Sequence, residues 1–325
     1  MSAPRIAAVI IGRNEGQRLL DCLAALPDRF SPVVYVDSGS DDGSVEAARA
    51  AGAEVIVLDA AQPFTAARAR NAGIARLQAD KVDFVQLIDG DCALREGWTD
   101  IAAARLSEAS DLAVVCGRRR EKFPEASVYN ALADAEWDTV VGPAPACGGD
   151  AMMRLMALRA VGGYRDDLIA GEEPELCVRL RQAGWKIERL AAEMTLHDAA
   201  MTRFGQWWRR SRRAGHAYAE GAALHGAAPE RHWVRETRRA LVWGAALPAG
   251  IMILVLIKPW LGALVALAYP AQGLRLALRG GPVGIGRWQW AGFTLLGKFA
   301  EAQGALGYYL SRLRGGKTRL MEYKS

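Results

Sequence analysis

The chain has 325 residues, 51% hydrophobic and 24% charged, enough for one large domain with an appendage. Its net charge of +5 hides a division: residues 1–202 hold 22 Lys and Arg against 31 Asp and Glu, while residues 203–325 hold 19 against 5. The basic part is also rich in Trp and in long apolar runs, which directs it to an anionic membrane surface and argues against nucleic acid as a partner. The five cysteines, Cys22, Cys92, Cys116, Cys147 and Cys177, are odd in number and widely spaced, with no metal-ligand pair, the usage of a reducing compartment.

Along the chain, Ile6–Ile11 reads as a buried strand; Arg13 and Glu15 follow at once, so the run is no signal peptide. Glu15–Leu26 is predicted as a helix with Leu19, Leu20, Leu23 and Leu26 apolar, and Pro32–Val36 as a second strand. The polar loop Asp37–Ser44 opens onto an Ala-rich helix ending at Ala51. A strand at Glu54–Leu58, a helix at Phe64–Leu77 and a strand running from Phe84 to Asp89 come next. Strands alternating with helices at this spacing predict an α/β domain with a mostly parallel sheet. Beyond Asp91 the pattern loosens: a strand at Leu112–Cys116, the basic cluster Arg118–Arg120, a loop at Val141–Asp150, possible re-entry into the sheet at Ala151–Arg154, a short helix at Leu155–Val161, and a helix at Pro174–Ala183.

The tail differs in kind. Ala240–Ile257 and Pro259–Leu274 are uncharged and mostly apolar, flanking Lys258-Pro259, which suits a hairpin of two helices near the lower length limit for crossing a bilayer. Trp288–Leu310 carries Lys298 and Glu301 and suits an interfacial helix. The opposing reading makes all three the core helices of a soluble domain. Arg231, Arg235, Arg238 and Arg239 precede the hairpin, Arg275, Arg279 and Arg287 follow it, and only Lys258 lies in its turn. That bias predicts both ends, and the N-terminal domain, on the cytoplasmic face of the plasma membrane. The expected organisation is a catalytic domain over 1–202, basic amphipathic helices over 203–239, with Trp207-Trp208 at lipid headgroups, and a helical membrane region over 240–325.

Asp89-Gly90-Asp91 lies just past a strand's carboxyl end, where open α/β sheets bind ligands. Two hard oxygen donors there suit Mg²⁺ or Mn²⁺, although Asp-Gly is also ordinary turn chemistry. With Asn14-Glu15 after the first strand, Asp37–Ser44 after the second, Ala69–Gly73 in a helix and Gly171-Glu172-Glu173-Pro174-Glu175-Leu176 downstream, the series resembles the family 2 glycosyltransferases, inverting enzymes of the GT-A fold, over residues 5–200.

The resemblance implies a nucleotide-sugar donor, UDP-linked or similar, held by Asn14, Glu15, Asp37, Ser38, Arg70, Asn71 and Asp89. It implies a metal on Asp89 and Asp91, with His197 at the metal or diphosphate. It implies a general base at Glu173, where the family has Asp, with Glu172 as the alternative. Ser38 departs from the family's usual Asp. For each residue a structural reading stands beside the functional one: a capping turn for Asp37, a surface charge for Arg70, a structural imidazole for His197, a helix-dipole acid for Glu172 and Glu173. The implied acceptor is a lipid-linked or glycan hydroxyl in envelope or exopolysaccharide assembly. Gln206-Trp207-Trp208-Arg209-Arg210 is not the Gln-X-X-Arg-Trp motif of processive members. The competing functions are a nucleotidyltransferase, for which Gly12–Gly16 is a poor phosphate loop, and a non-catalytic membrane scaffold on the same fold.

Overall fold

The structure is a computed structural model that describes residues 3–78 and 81–315. Two compact units are present, one formed by residues up to 123 with 136–199, the other by residues 124–135 with those from 200 on.

The first unit is built on one nine-stranded sheet among the described residues. Its central strand β1 (Ile6–Gly12) is buried along its apolar length, as a strand covered on both faces must be. It pairs in parallel with β2 (Phe30–Asp37) and β4 (Phe84–Asp89), and β2 pairs in parallel with β3 (Glu54–Val57). The register places Gly12 opposite Asp37 and Ile11 opposite Asp89, so both aspartates leave the sheet beside the end of β1. Helix α3 (Ala66–Arg76) can lie this close to the sheet because Gly73 has no side chain; a Cβ there would stand 2.3 Å from Val9.

Beyond β4 the sheet is mixed. β5 (Cys92–Leu94), β6 (Leu112–Glu121), β7 (Gly142–Pro143), β8 (Ala151–Arg154) and β9 (Lys186–His197) complete it. β8 does re-enter, antiparallel to β4 and β6, while β9 runs parallel to β6 and antiparallel to β5 and β7. β6 runs five residues past the expected end at Cys116, because β9 pairs with it as far as Glu121. Its basic cluster Arg118–Arg120 is therefore strand, with Arg119 turned inward.

The helices are α1 (Gln17–Ala24), α2 (Ser44–Ala50), α4 (Trp98–Glu108), α6 (Leu155–Ala160) and α7 (Glu172–Gln182). α1 begins two residues later than predicted because Asn14 and Gly16 hold positive φ, which excludes helix there. α4 was not predicted; its buried face is Trp98, Thr99, Ala102, Ala103 and Leu106, too rich in small residues to carry a hydropathy signal. α7 starts at Glu172 rather than Pro174, since Gly171 at φ 79° supplies the left-handed turn before it.

The second unit is helical: α5 (Val128–Glu136), α8 (Phe204–His225), two apolar helices at Val234–Ile257 and Pro259–Arg279, and a long helix at Arg287–Leu313. The long helix packs through small residues. A Cβ on Gly304 would stand 1.9 Å from the Arg212 carbonyl of α8, and one on Gly215 would stand 2.0 Å from the Glu301 carbonyl. Trp207 is buried against Tyr129, Leu132 and Phe293, so it is a core residue and not the headgroup anchor predicted for it. Trp208 donates its indole N–H to Gln303 Oε1 at 3.1 Å. The apolar stretches of the hairpin are bare: 6% of the first and 11% of the second is buried, whereas a core helix of a soluble domain is mostly buried.

Candidate active site

The site lies in the first unit, off the ends of β1, β2 and β4. Two loops close it on one side and are stitched together. The Asn14 N–H donates to Ser40 Oγ at 2.9 Å, the Asp41 N–H donates to Asn14 Oδ1 at 2.9 Å, and the Gly16 N–H donates to Asp42 at 2.9 Å. Asp37, fully buried, accepts from the N–H groups of Gly39 and Ser40 at 2.8 Å each, from Ser40 Oγ at 2.5 Å and from Tyr35 Oη at 3.1 Å. Four bonds fill a carboxylate's capacity. In this structure Asp37 shapes the loop that borders the site. The Ser38 N–H donates to the Gly12 carbonyl at 3.0 Å, and Glu15 pairs with Arg18 at 2.8 Å. Asn71, on α3, binds the Tyr164 carbonyl and Asp166 at 2.7 Å each and accepts from the Tyr164 N–H. Its visible work is to pin the 164–166 loop.

Arg70 is the hub. Only 3% exposed, it donates to Asp89 Oδ1 at 2.7 Å and to Glu172 Oε1 at 2.8 Å, with its guanidinium 5.5 Å from the Tyr164 ring centre. Burial opposes its charge, but Asp89, Tyr164 and Glu172 outweigh that and hold it firmly protonated. It is no surface charge: one side chain joins the Asp-Gly-Asp segment to the acidic start of α7.

Arg119 holds the other oxygen of Asp89 at 3.3 Å and Asp150 at 2.8 Å. Asp150, wholly buried, also accepts the Asp89 N–H at 2.9 Å and the Thr195 hydroxyl at 2.8 Å. Sequence reasoning missed Arg119, Asp150 and Thr195. Burial alone would raise the Asp89 pKa, and the two arginines reverse that and lower it. The backbone closes tightly here: a Cβ on Gly149 would lie 2.7 Å from Asp89 Oδ2, and one on Gly90 3.1 Å from the Ile11 carbonyl.

Asp91 faces His197, Oδ2 to Nε2, at 3.2 Å. The β5–β9 pairing of Cys92 with His197 sets this up and places His197 at the end of the last strand. Its Nδ1 lies 3.6 Å from Glu121, and Trp137 packs edge-on against the ring. Burial would lower the His197 pKa; Asp91 and Glu121 raise it. A carboxylate and an imidazole about 3 Å apart, the imidazole backed by a second carboxylate, are spaced as neighbouring ligands of a divalent ion. Asp91, Cys92 and His197 form one such cluster and Asp89, Cys92 and Asp150 another. The residues present therefore fit the implied cation.

Glu172 and Glu173 have separate surroundings. Glu172 is committed to Arg70. Glu173 is buried, and its Oε1 accepts from the Cys147 N–H at 2.6 Å and from the thiols of Cys147 and Cys177 at 3.0 Å each. Burial raises its pKa, and Glu172 adds to the rise against those three bonds. The named bonds all fall on Oε1. The two cysteines were unassigned in the sequence.

Residues 7–139 match the model of glycosyl transferase family 2. This segment of the chain resembles that family. Among curated proteins, the chain is 29% identical over 287 residues to a pre-mycofactocin glycosyltransferase of Mycobacterium tuberculosis, covering 84% of this chain but 57% of that protein. It therefore spans little more than half the length of that relative. It is 24% identical to glycosyltransferase AglE of Haloferax volcanii, covering 65% of this chain and 72% of that one. Among solved structures, a mannosyltransferase of Pyrobaculum calidifontis in complex with GDP-Man and Mn²⁺ superposes at a TM-score of 0.65 and 20% identity, covering 94% of this chain and 88% of that one. The fold is GT-A, as the motif order implied.

Proposed function

We propose that the chain is a metal-dependent inverting glycosyltransferase that moves a sugar from a nucleotide-diphosphate donor to a hydroxyl of a membrane-held acceptor, at the cytoplasmic face of the membrane. The observation that carries this reading is the Arg70 bridge, because it unites the Asp89–Asp91 cation ligands with the Glu172-Glu173 acids. A nucleotidyltransferase has no use for that second pair, and a scaffold has no use for so costly a buried charge network. The fold neighbour's GDP-Man and Mn²⁺ agree with a nucleotide-sugar donor and a divalent cation.

Asp91, His197 and Asp89 would hold Mg²⁺ or Mn²⁺, which supplies positive charge beside the diphosphate as it leaves. Asn14, Glu15 and Ser38 border the nucleotide through the loop that Asp37 organises. Arg70 and Arg119 keep Asp89 ionised and fixed. Glu173 is the base. Its Oε1 is anchored, its remaining oxygen takes the acceptor's proton, and its raised pKa makes it a better base than an ordinary glutamate. The acceptor oxygen then bonds to the anomeric carbon from the face opposite the departing diphosphate, which inverts the configuration.

Asp91→Ala tests the donor site. It should abolish transfer and weaken nucleotide binding in Mn²⁺, measured by calorimetry. Unchanged turnover in this variant, or full wild-type turnover in excess chelator, would overturn the metal-bound donor site.

A further inference from the structure

At the base of the apolar hairpin lies a cavity of about 300 Å³ walled by the first apolar helix, the second and the long C-terminal helix. Arg239, Arg275, Arg279 and Lys298 line it. Lys298 is paired with Glu301 at 2.5 Å. Among the described residues the three arginines have no hydrogen bond or ion pair from their side chains, and no acidic residue lines the cavity. Three uncompensated guanidinium groups around one hollow repel each other, so the arrangement is suited to an anion.

The geometry points to a binding site for the phosphate of a lipid headgroup. This rests on the membrane reading of the hairpin. Arg239 immediately precedes the first uncharged run, and Arg275 immediately follows the second. Both ends of a hairpin emerge at the same depth, so these arginines sit at the boundary where lipid phosphates lie. Arg275 and Arg279 are one turn apart on the same helix face, and Arg239 opposes them from the neighbouring helix. Guanidinium groups clamp phosphate oxygens through paired N–H donors, and Gln272 and Thr294 add uncharged donors in the same wall. The remaining lining, Trp243, Leu276 and Leu295, is the apolar and interfacial surface that a glycerol backbone or an isoprenoid stem would meet. A free phosphate would leave that apolar half unused.

The test uses the detergent-purified full chain in neutral micelles and compares short-chain phosphatidylglycerol, phosphatidylcholine, a polyprenyl monophosphate and inorganic phosphate. The triple variant Arg239→Gln, Arg275→Gln, Arg279→Gln removes exposed, unpaired charges, and its circular dichroism melt serves as the folding control. Each arginine near a lipid phosphate is worth roughly fivefold in binding, so the triple variant should bind phosphatidylglycerol or the polyprenyl phosphate about 100-fold more weakly. Tighter binding of one of those two lipids identifies whether a bulk or a carrier lipid is the occupant; either supports the site. Equal binding of phosphatidylcholine and phosphatidylglycerol, undiminished binding in a folded triple variant, or inorganic phosphate competing at equal concentration would overturn it. Membrane fractionation of the triple variant is read separately. A hairpin that inserts keeps the variant in membranes, so loss of lipid selectivity is distinguished from loss of membrane residence.

Discussion

At the scale of single residues the proposed mechanism rests on Arg70, which fixes Asp89, and on Glu173 as base, and their surroundings make different demands. Glu173→Gln keeps the size and the bonds to Cys147 but cannot take a proton, so turnover should fall by about 10²–10⁴-fold while donor binding in Mn²⁺ stays intact. A larger loss in Glu172→Gln would transfer the role of base to Glu172. The pH profile gives a second readout. Burial raises the Glu173 pKa, so the acid limb of turnover should lie above the ordinary glutamate range, with activity lost as pH falls through it. The Cys177 thiol opposes that rise, so Cys177→Val should move the limb to still higher pH. A limb that stays fixed in this variant contradicts the assignment. Asp89, Asp91, Glu172 and Glu173 were legible in the sequence because each sits where a strand or a Gly-led helix start presents it. Arg119 and Asp150 were not. One is the middle of three consecutive arginines, and only strand pairing reveals which of them turns inward; the other ends a Gly-rich loop with no period of its own.

Among elements, the parallel half of the sheet could be read from its unbroken apolar runs, whereas α4 and the far half of β6 could not. Alanines dilute the helical period of α4, and charges in β6 are tolerated only because β9 flanks them. The same limit applies to Trp207, whose partners Leu132 and Phe293 are remote in sequence. The packing of α8 against the long C-terminal helix can be tested directly. Gly304→Val would force a side chain into the Arg212 carbonyl, where the space is 1.9 Å. Overpacking typically costs about 1–3 kcal/mol, and a backbone clash belongs at the upper end. Gly307→Ala, with nothing within 4 Å of the added Cβ, is the matched control and should be neutral or stabilise by up to about 1 kcal/mol. Equal thermal melts for both variants would show that the helices do not meet through Gly304.

For the whole molecule, the division of charge finds its counterpart in two units: the acidic part of the chain holds the sheet, and the basic part holds the exposed apolar hairpin. If the hairpin is inserted, the full chain should remain in membranes through a high-salt wash. A reporter placed at Lys258 should then read as external, and one fused after Ser325 as cytoplasmic. Salt extraction, or a cytoplasmic reading at Lys258, would make the tail a peripheral anchor. Arg312 and Arg314 would lie on the cytoplasmic side with that fusion point; Lys317 and Arg319 fall outside the described residues. The measurement closest to the central claim is donor turnover by the detergent-purified full chain, screened over nucleotide sugars with Mn²⁺ and followed by the nucleotide released and the anomeric configuration of the product. The account predicts a nucleoside diphosphate, an inverted sugar linkage and no turnover in chelator. Release of pyrophosphate, retention of configuration, or no donor consumed at all would contradict it.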